Sequence, residues 1–246
     1  MLRSRIIPCL LLSNGGLVKT VKFSHAKYVG DPINAVKIFN EKEVDELTLF
    51  DIEARSDNRG PDFDLLEKIA SQASMPLCYG GGITSVDDAI KLVSMGYEKI
   101  SISSAALENR KLIRDISTAI GAQSTVVTID VKKNFLSGSY SMYSQNAGKK
   151  SSQTFLDFIT TIESYGIGEL VINSIDRDGT MSGYDLNLAR LVRNSVSVPI
   201  SFLGGAGSPI DMVNLIGEVG LVGACAGSMF VFNGPYKAVL ITYTKP

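Results

Sequence analysis

With 246 residues, 45% of them hydrophobic, the chain is long enough to bury a large core, and α/β barrels commonly use this length for one domain. A formal charge of −1 at pH 7 argues against a general nucleic-acid surface, so any anion binding has to be local. One histidine, His25, excludes a histidine-rich metal site and speaks against Ser-His-Asp chemistry, since it lies in a polar stretch.

Residues 6–12 read as a buried strand, although a basic start followed by an apolar run superficially resembles a short signal peptide. Pro8 interrupts that run, Ser13-Asn14-Gly15-Gly16 is a poor cleavage site, and no run approaches membrane-spanning length. A Gly15-Gly16 turn and a long polar loop containing Lys19 follow. Asp31-Pro32 supplies an N-cap and a proline at the first helical position for a helix over 32–43. Strand two is 47–51, helix two lies near 63–72, and strand three, 77–79, opens into Gly80-Gly81-Gly82. Ser85 with Asp88 makes a capping-box variant for helix three, which Gly96 ends.

Strand four is 100–103, helix four 108–119, and strand five 125–131, closing on Asp130. A polar, aromatic insertion at 132–150 follows, with Ser137-Gly138 as a hairpin turn. Helix five covers 153–165, strand six 170–174, helix six 185–195 and strand seven 200–203. Ser208-Pro209 caps helix seven, strand eight is 221–226, and a shortened last helix is expected after Pro235. Cys9, Cys78 and Cys225 each sit inside an apolar run, so they read as reduced core thiols of a cytoplasmic protein.

The chain also repeats itself. Glu46-Leu-Thr-Leu-Phe-Asp51 answers Glu169-Leu-Val-Ile-Asn-Ser174, Pro76 and Pro199 fall at the same distance past Glu46 and Glu169, so the match is in register, and the glycines from Gly80 answer those from Gly204. The period is far too long for a solenoid. Eight alternating strand–helix units with a half-chain repeat predict a single (βα)8 TIM barrel in one domain, 1–246, made of half-barrels of about 1–120 and 121–246.

Function in such a barrel gathers where strands end. Gly80-Gly81-Gly82 with 101–104 forms one candidate phosphate cup, and 204–207 with 226–228 forms another. Glycines admit backbone N–H groups to a phosphate and helix N-termini add positive dipole; tight turns alone are the alternative. Two cups predict a ligand with a phosphate at each end. Asp130 is a candidate general base, or else a solvated strand end. Its symmetry-related partner position is Leu11, so the second carboxylate is missing. Arg5, Glu46, Lys99 and Glu169 each immediately precede a strand, with alternating signs, on the opposite rim. They read either as a salt-bridged plug closing one end of a channel or as a structural ion network.

Taken together, Arg5-Ile-Ile-Pro-Cys-Leu10, Gly30-Asp-Pro32, Gly80-Gly-Gly-Ile83, Ser174-Ile-Asp-Arg-Asp-Gly-Thr180, Ser182-Gly-Tyr-Asp185 and Gly204-Gly-Ala-Gly207 resemble the cyclase subunit of imidazole glycerol phosphate synthase across essentially the whole chain. The resemblance implies a glutaminase docked on the barrel bottom, an ammonia gate of Arg5, Glu46, Lys99 and Glu169, and a bis-phosphorylated ribulosyl formimino substrate at the top. It implies phosphate contacts at Gly82, Ser104, Gly179, Gly205 and Ser228, with Ser103 and Gly227 beside them. Lys19 and Asp178 match active-site positions, and Asp130 matches one of two catalytic aspartates. It implies no cofactor, no metal, no nucleic acid and no membrane.

The departures cluster in the same bowl. Leu11 stands where the family has its general acid, Cys78 and Asn173 where it has threonine, Ser103 where it has asparagine, and Phe202-Leu203 where it has a small residue and a serine. Such a rewritten top over a kept bottom resembles the paralogues associated with bacterial surface-polysaccharide genes. In those, ammonia from a glutaminase is passed on for a separate sugar amidotransferase to make an acetamidino group. A working cyclase of histidine biosynthesis is the alternative. The sister sugar isomerase needs no gate and also uses a strand-one aspartate, so it fits poorly. A non-catalytic scaffold is the fourth reading.

Overall fold

Among residues 3–144 and 148–246, which the computed structural model describes, eight parallel strands pair in chain order and close into a barrel. They are β1 (Arg5–Ser13), β2 (Leu47–Asp51), β3 (Leu77–Gly80), β4 (Lys99–Ile102), β5 (Thr125–Lys133), β6 (Glu169–Ser174), β7 (Ile200–Leu203) and β8 (Gly223–Ala226). Closure is made by β8 on β1, with Arg5 opposite Gly223 and Ile7 opposite Cys225. Helices Pro32–Glu41, Phe63–Ala70, Val86–Ser94, Arg110–Ile120, Phe155–Glu163, Leu186–Arg193 and Pro209–Val219 lie between successive strands.

The expected caps form. The Asp31 carboxylate accepts the Asn34 N–H at 2.8 Å, and Ser85 and Asp88 exchange side-chain-to-backbone bonds of 3.1 and 3.0 Å. Each one satisfies orphan donors of a helix's first turn.

Strand periodicity builds the interior. Successive side chains point to opposite faces, so Ile6, Leu10 and Leu12 join the main core, while Ile7 and Cys9 belong to a second cluster with Cys78, Val126, Val171, Leu203 and Cys225. That second cluster fills the barrel lumen. Reading every second residue therefore runs up the inside from one rim to the other: Arg5, Ile7, Cys9, Leu11 on β1; Glu46, Thr48, Phe50 along β2; Val126, Thr128, Asp130 on β5; Glu169, Val171, Asn173 on β6. All three cysteines are buried and free.

Several expectations are corrected. The polar loop after β1 is an antiparallel hairpin, Gly16–Val21 with Ser24–Gly30, because Leu17 and Val18 bury against the barrel while Lys22 and Phe23 turn the chain at positive φ. Asp130 does not end its strand. β5 continues to Lys133 because Asp130–Lys133 pairs with Tyr140–Tyr143 beyond the barrel wall. Part of the insertion foreseen at 132–150, residues 145–147, lies outside the described residues. Arg5, Lys99 and Glu169 are the first residues of their strands rather than preceding them, and only Glu46 lies just outside one.

Short helices Ser104–Glu108 and Ser228–Val231 follow β4 and β8 directly. No helix follows Pro235. Gly234 turns at φ +69, Phe232–Asn233 pairs with Ala238–Val239, and Tyr243 then donates its hydroxyl to the Ile6 carbonyl at 3.0 Å. That contact anchors an irregular tail across the bottom of β1. Among the described residues no helix is long and apolar enough to cross a membrane.

Candidate functional site: a charged ring below an anion-binding bowl

At the N-terminal rim the four charged residues meet in a closed square. Arg5 bonds Glu46 at 2.5 Å and Glu169 at 2.7 Å, and Lys99 bonds the same two carboxylates at 2.6 and 2.8 Å. Both glutamates are buried, and the Ser201 hydroxyl also donates to Glu169. Burial works against the charges of Arg5, Lys99 and Glu169, yet the partners win. Despite burial, Lys99 and Arg5 hold Glu169 below the usual carboxylate range, while the two glutamates raise Lys99. The square has no net charge and stands across the lumen.

Directly above the ring is a cavity of about 10 Å3 touching Glu46, Glu169, Thr48, Cys78 and Cys225, near the lower limit for one small polar molecule. Burial raises the Cys78 thiol well above its ordinary range, so that thiol is uncharged at neutral pH. Cys9 and Phe50 border both this cavity and the one above it.

The upper cavity is the bowl, about 330 Å3, at the C-terminal ends of the strands. The catalytic and phosphate-binding candidates Lys19, Asp130, Asp178, Gly82, Ser103, Ser104, Gly179, Gly205, Gly227 and Ser228 all line it, as do the departures Leu11, Asn173 and Leu203, whereas Cys78 borders the lower cavity and Phe202, one residue out of phase with Leu203, packs in the outer core. The two glycine cups open into one space. Gly82 turns at φ +68 with the Arg59 carbonyl only 2.8 Å from where a Cβ would stand, so a side chain there is excluded on both counts. Gly227 leaves room for the Lys19 amine, which would collide with any Cβ at that position.

Asp130 sits at the bottom of the bowl. Burial pushes its carboxyl up to about 7, and the Asp178 charge adds to this, against a 2.8 Å hydrogen bond from the Asn173 amide. It is thus poised to take or hold a proton at neutral pH. Lys19, buried at 6% exposure, has its amine pulled below the usual range by burial, against the Asp178 charge, and donates to the Cys9 carbonyl at 3.0 Å. Asp178 accepts from the Thr20 hydroxyl and the Phe23 amide at 2.9 and 3.2 Å, tying the loop after β6 to the hairpin. Leu11, partly buried, lines the same bowl, so the missing carboxylate leaves an apolar wall.

A pH test follows from Asp130. Its folded-state value lies above its ordinary 3.8, so the native state binds more protons between the two, and stability falls as pH rises from about 4 to about 7. Asp130→Asn removes that dependence. Denaturant unfolding of the two proteins should show the variant gaining on the parent by an order of a few kcal/mol across this window, and no further above it.

Three contributors escaped the sequence reading. Arg59 grips Asp51 through two bonds of 2.8 and 3.0 Å, holding its own carbonyl against Gly82. Asn173 was noted only as a departure, but it is the partner of Asp130. His25, exposed on the hairpin, reaches the bowl's mouth. The alternation of β6 would have placed Asn173 in the lumen beside Asp130; nothing in the sequence signals the Arg59 brace.

The histidine biosynthesis protein family matches residues 5–236. A Vibrio vulnificus protein provisionally named imidazole glycerol phosphate synthase subunit hisF3 is 51% identical over 246 residues, covering 100% of this chain and 95% of the relative. A Pseudomonas aeruginosa protein provisionally named subunit hisF2 of the same synthase is 48% identical over 243 residues, covering 99% and 96%. The imidazole glycerol phosphate synthase subunit HisF of Streptococcus sanguinis is 37% identical over 245 residues, covering 100% and 95%. With this closed barrel, the ring beneath it and the bowl above, the chain belongs to the histidine biosynthesis protein family as a homologue of the HisF subunit of imidazole glycerol phosphate synthase.

Proposed function

We propose that this barrel conducts ammonia from a glutaminase docked at the ring to the bowl, and that the nitrogen serves amidination of a surface-polysaccharide sugar by a separate amidotransferase. The contrast between the two ends carries the reading. The ring is complete on all four sides, whereas the bowl presents Leu11 where the resemblance sets a general acid.

The path fits a small neutral amine. Glu46 and Glu169 belong both to the ring and to the cavity above it, and Cys9 and Phe50 carry that cavity to the bowl. Parting one side of the square opens the bottom, while neutral thiols and apolar side chains favour ammonia over ammonium beyond it. In the bowl, the two cups hold anionic groups and Asp130 accepts a proton.

The test is glutamine hydrolysis by a glutaminase subunit from the same source with and without the barrel, followed by the fate of 15N from the glutamine amide. Stimulation of hydrolysis, and 15N in an acetamidino sugar only when the barrel is present, is the expected result. A barrel that neither binds the glutaminase nor raises its activity sinks the proposal. A working cyclase is the second reading, favoured by Asp130 being poised near neutrality; ammonia-dependent turnover of the bis-phosphorylated substrate would establish it.

A further inference from the structure

We infer that the hairpin rising from β5 is a membrane-docking device: Phe135 and Leu136 at its apex enter an anionic lipid surface while the lysines on its flanks stand at the headgroups. The inference is independent of the ammonia route and of whatever the bowl holds.

Phe135 is 99% exposed and its neighbour Leu136 96% exposed. One leucine at a surface is ordinary, but two adjacent large apolar side chains held wholly in water mark a contact site. The turn does not need them. The Asn134 N–H donates to the Ser139 carbonyl at 2.7 Å, and the Gly138 N–H to the Asn134 carbonyl at 2.9 Å. The Asn134 amide also donates to the hydroxyls of Ser139 and Ser141, each at 3.0 Å. Behind the turn, Lys133 pairs with Tyr140 and Lys132 with Ser141. A braced hairpin thus presents an apolar tip. Because it continues β5 past Asp130, the tip lies on the bowl's side of the barrel.

The charge around the tip selects the partner. From Val131 to Leu156 the chain has four lysines, Lys132, Lys133, Lys149 and Lys150, and no aspartate or glutamate, although the whole chain is slightly acidic. All four are exposed. Lys132 and Lys133 are consecutive on one strand and so flank the hairpin on opposite faces; Lys149 and Lys150 extend the basic surface opposite Ser144 and Tyr143. Two carboxylates reach the hairpin from the barrel loops, and both are engaged. Asp176 accepts the Lys133 N–H at 2.8 Å and Asp185 the Tyr140 hydroxyl at 2.9 Å. The fitting partner is anionic outside and apolar within. A convex apex spanning 134–139 offers little of the roughly 800 Å2 per partner that a stable protein interface buries. A lipid surface asks only for apolar side chains at the headgroup boundary and basic ones beside them. Such a contact lies on the membrane and is reversible.

The chain contains no tryptophan, so Phe135→Trp makes a reporter at the apex. With vesicles of phosphatidylcholine containing about a third phosphatidylglycerol, its emission should shift to the blue and the parent should co-sediment, about 10-fold or more tighter than with phosphatidylcholine alone. Phe135→Ser with Leu136→Ser should weaken co-sedimentation about 10- to 100-fold. Lys132→Gln with Lys133→Gln should weaken it about 10-fold and reduce its sensitivity to salt. All four positions are exposed, so thermal unfolding of each variant should match the parent. No binding of the parent to anionic vesicles, binding that survives the double serine change, or an unshifted tryptophan emission each overturns the inference; a protein socket rimmed by carboxylates is then the occupant of the tip. Glutaminase stimulation is untouched by any of these results, so the two proposals fall separately.

Discussion

Leu11→Asp is expected to raise ammonia-dependent cyclase turnover over that of the parent chain by about 10²–10⁴-fold, the usual worth of a positioned general acid. The position is already built for it. Leu11 lies on the lumen stripe of β1, four residues above Ile7, pairs with Phe50 of β2 and Val18 of the hairpin, and lines the bowl with Asp130 and Lys19. A leucine there gives no proton and takes water from polar substrate groups. An aspartate would restore two carboxylates in one bowl, with Asp130 already raised to about 7 by burial and by the charge of Asp178. Added negative charge should raise it further, and because Asp130 acts as the base, the acidic limb of the pH–rate profile should move to higher pH.

The assay is turnover of the bis-phosphorylated ribulosyl formimino substrate at saturating ammonia, with no glutaminase present. A parent as active as the variant would make the chain a working cyclase and remove the reason to seek another acceptor. Silence from both would locate the loss in the other rewritten positions that line the bowl, Ser103, Asn173 and Leu203.

Glu169→Ala is expected to destabilise the protein by about 3–5 kcal/mol, because it strands buried positive charge. Glu169 bonds Arg5, Lys99 and Ser201, and after its removal two cations share Glu46 alone. The sign with pH is fixed by the depressed carboxyl: the contribution is complete above its ordinary value of 4.5 and fades as pH falls below it. Denaturant unfolding at pH 7 and at pH 3 should therefore show a large difference between variant and parent at the first and a much smaller one at the second. An equal difference at both would assign the loss to packing instead. Replacing all four ring residues by apolar ones of similar size should cost far less than the single change, since no charge is left unpaired. Such a protein would fold yet have no charged ring across its lumen.

What sequence could determine here was whatever is written locally or repeated in register. Apolar runs bounded by glycine and proline mark the eight strands, Asp31-Pro32 and Ser85 mark helix starts, and the repeat of Glu46 and Pro76 by Glu169 and Pro199 points to a barrel. The period of two then places alternate residues on the lumen, so ring and bowl residues are legible once the strands are.

Contacts that depend on how distant segments meet were decided only in three dimensions. Lys19 lay in a stretch that reads as loop, because its burial comes from packing on β1 and not from its own polarity. The helix expected after Pro235 gave way to a tail tied down by Tyr243 near Ile6, a contact spanning almost the whole chain. The raised carboxyl of Asp130 needs the burial and the neighbours Asn173 and Asp178 that only closure of the sheet supplies. Periodicity says which way a side chain points; the free energy of a buried charge depends on everything brought around it.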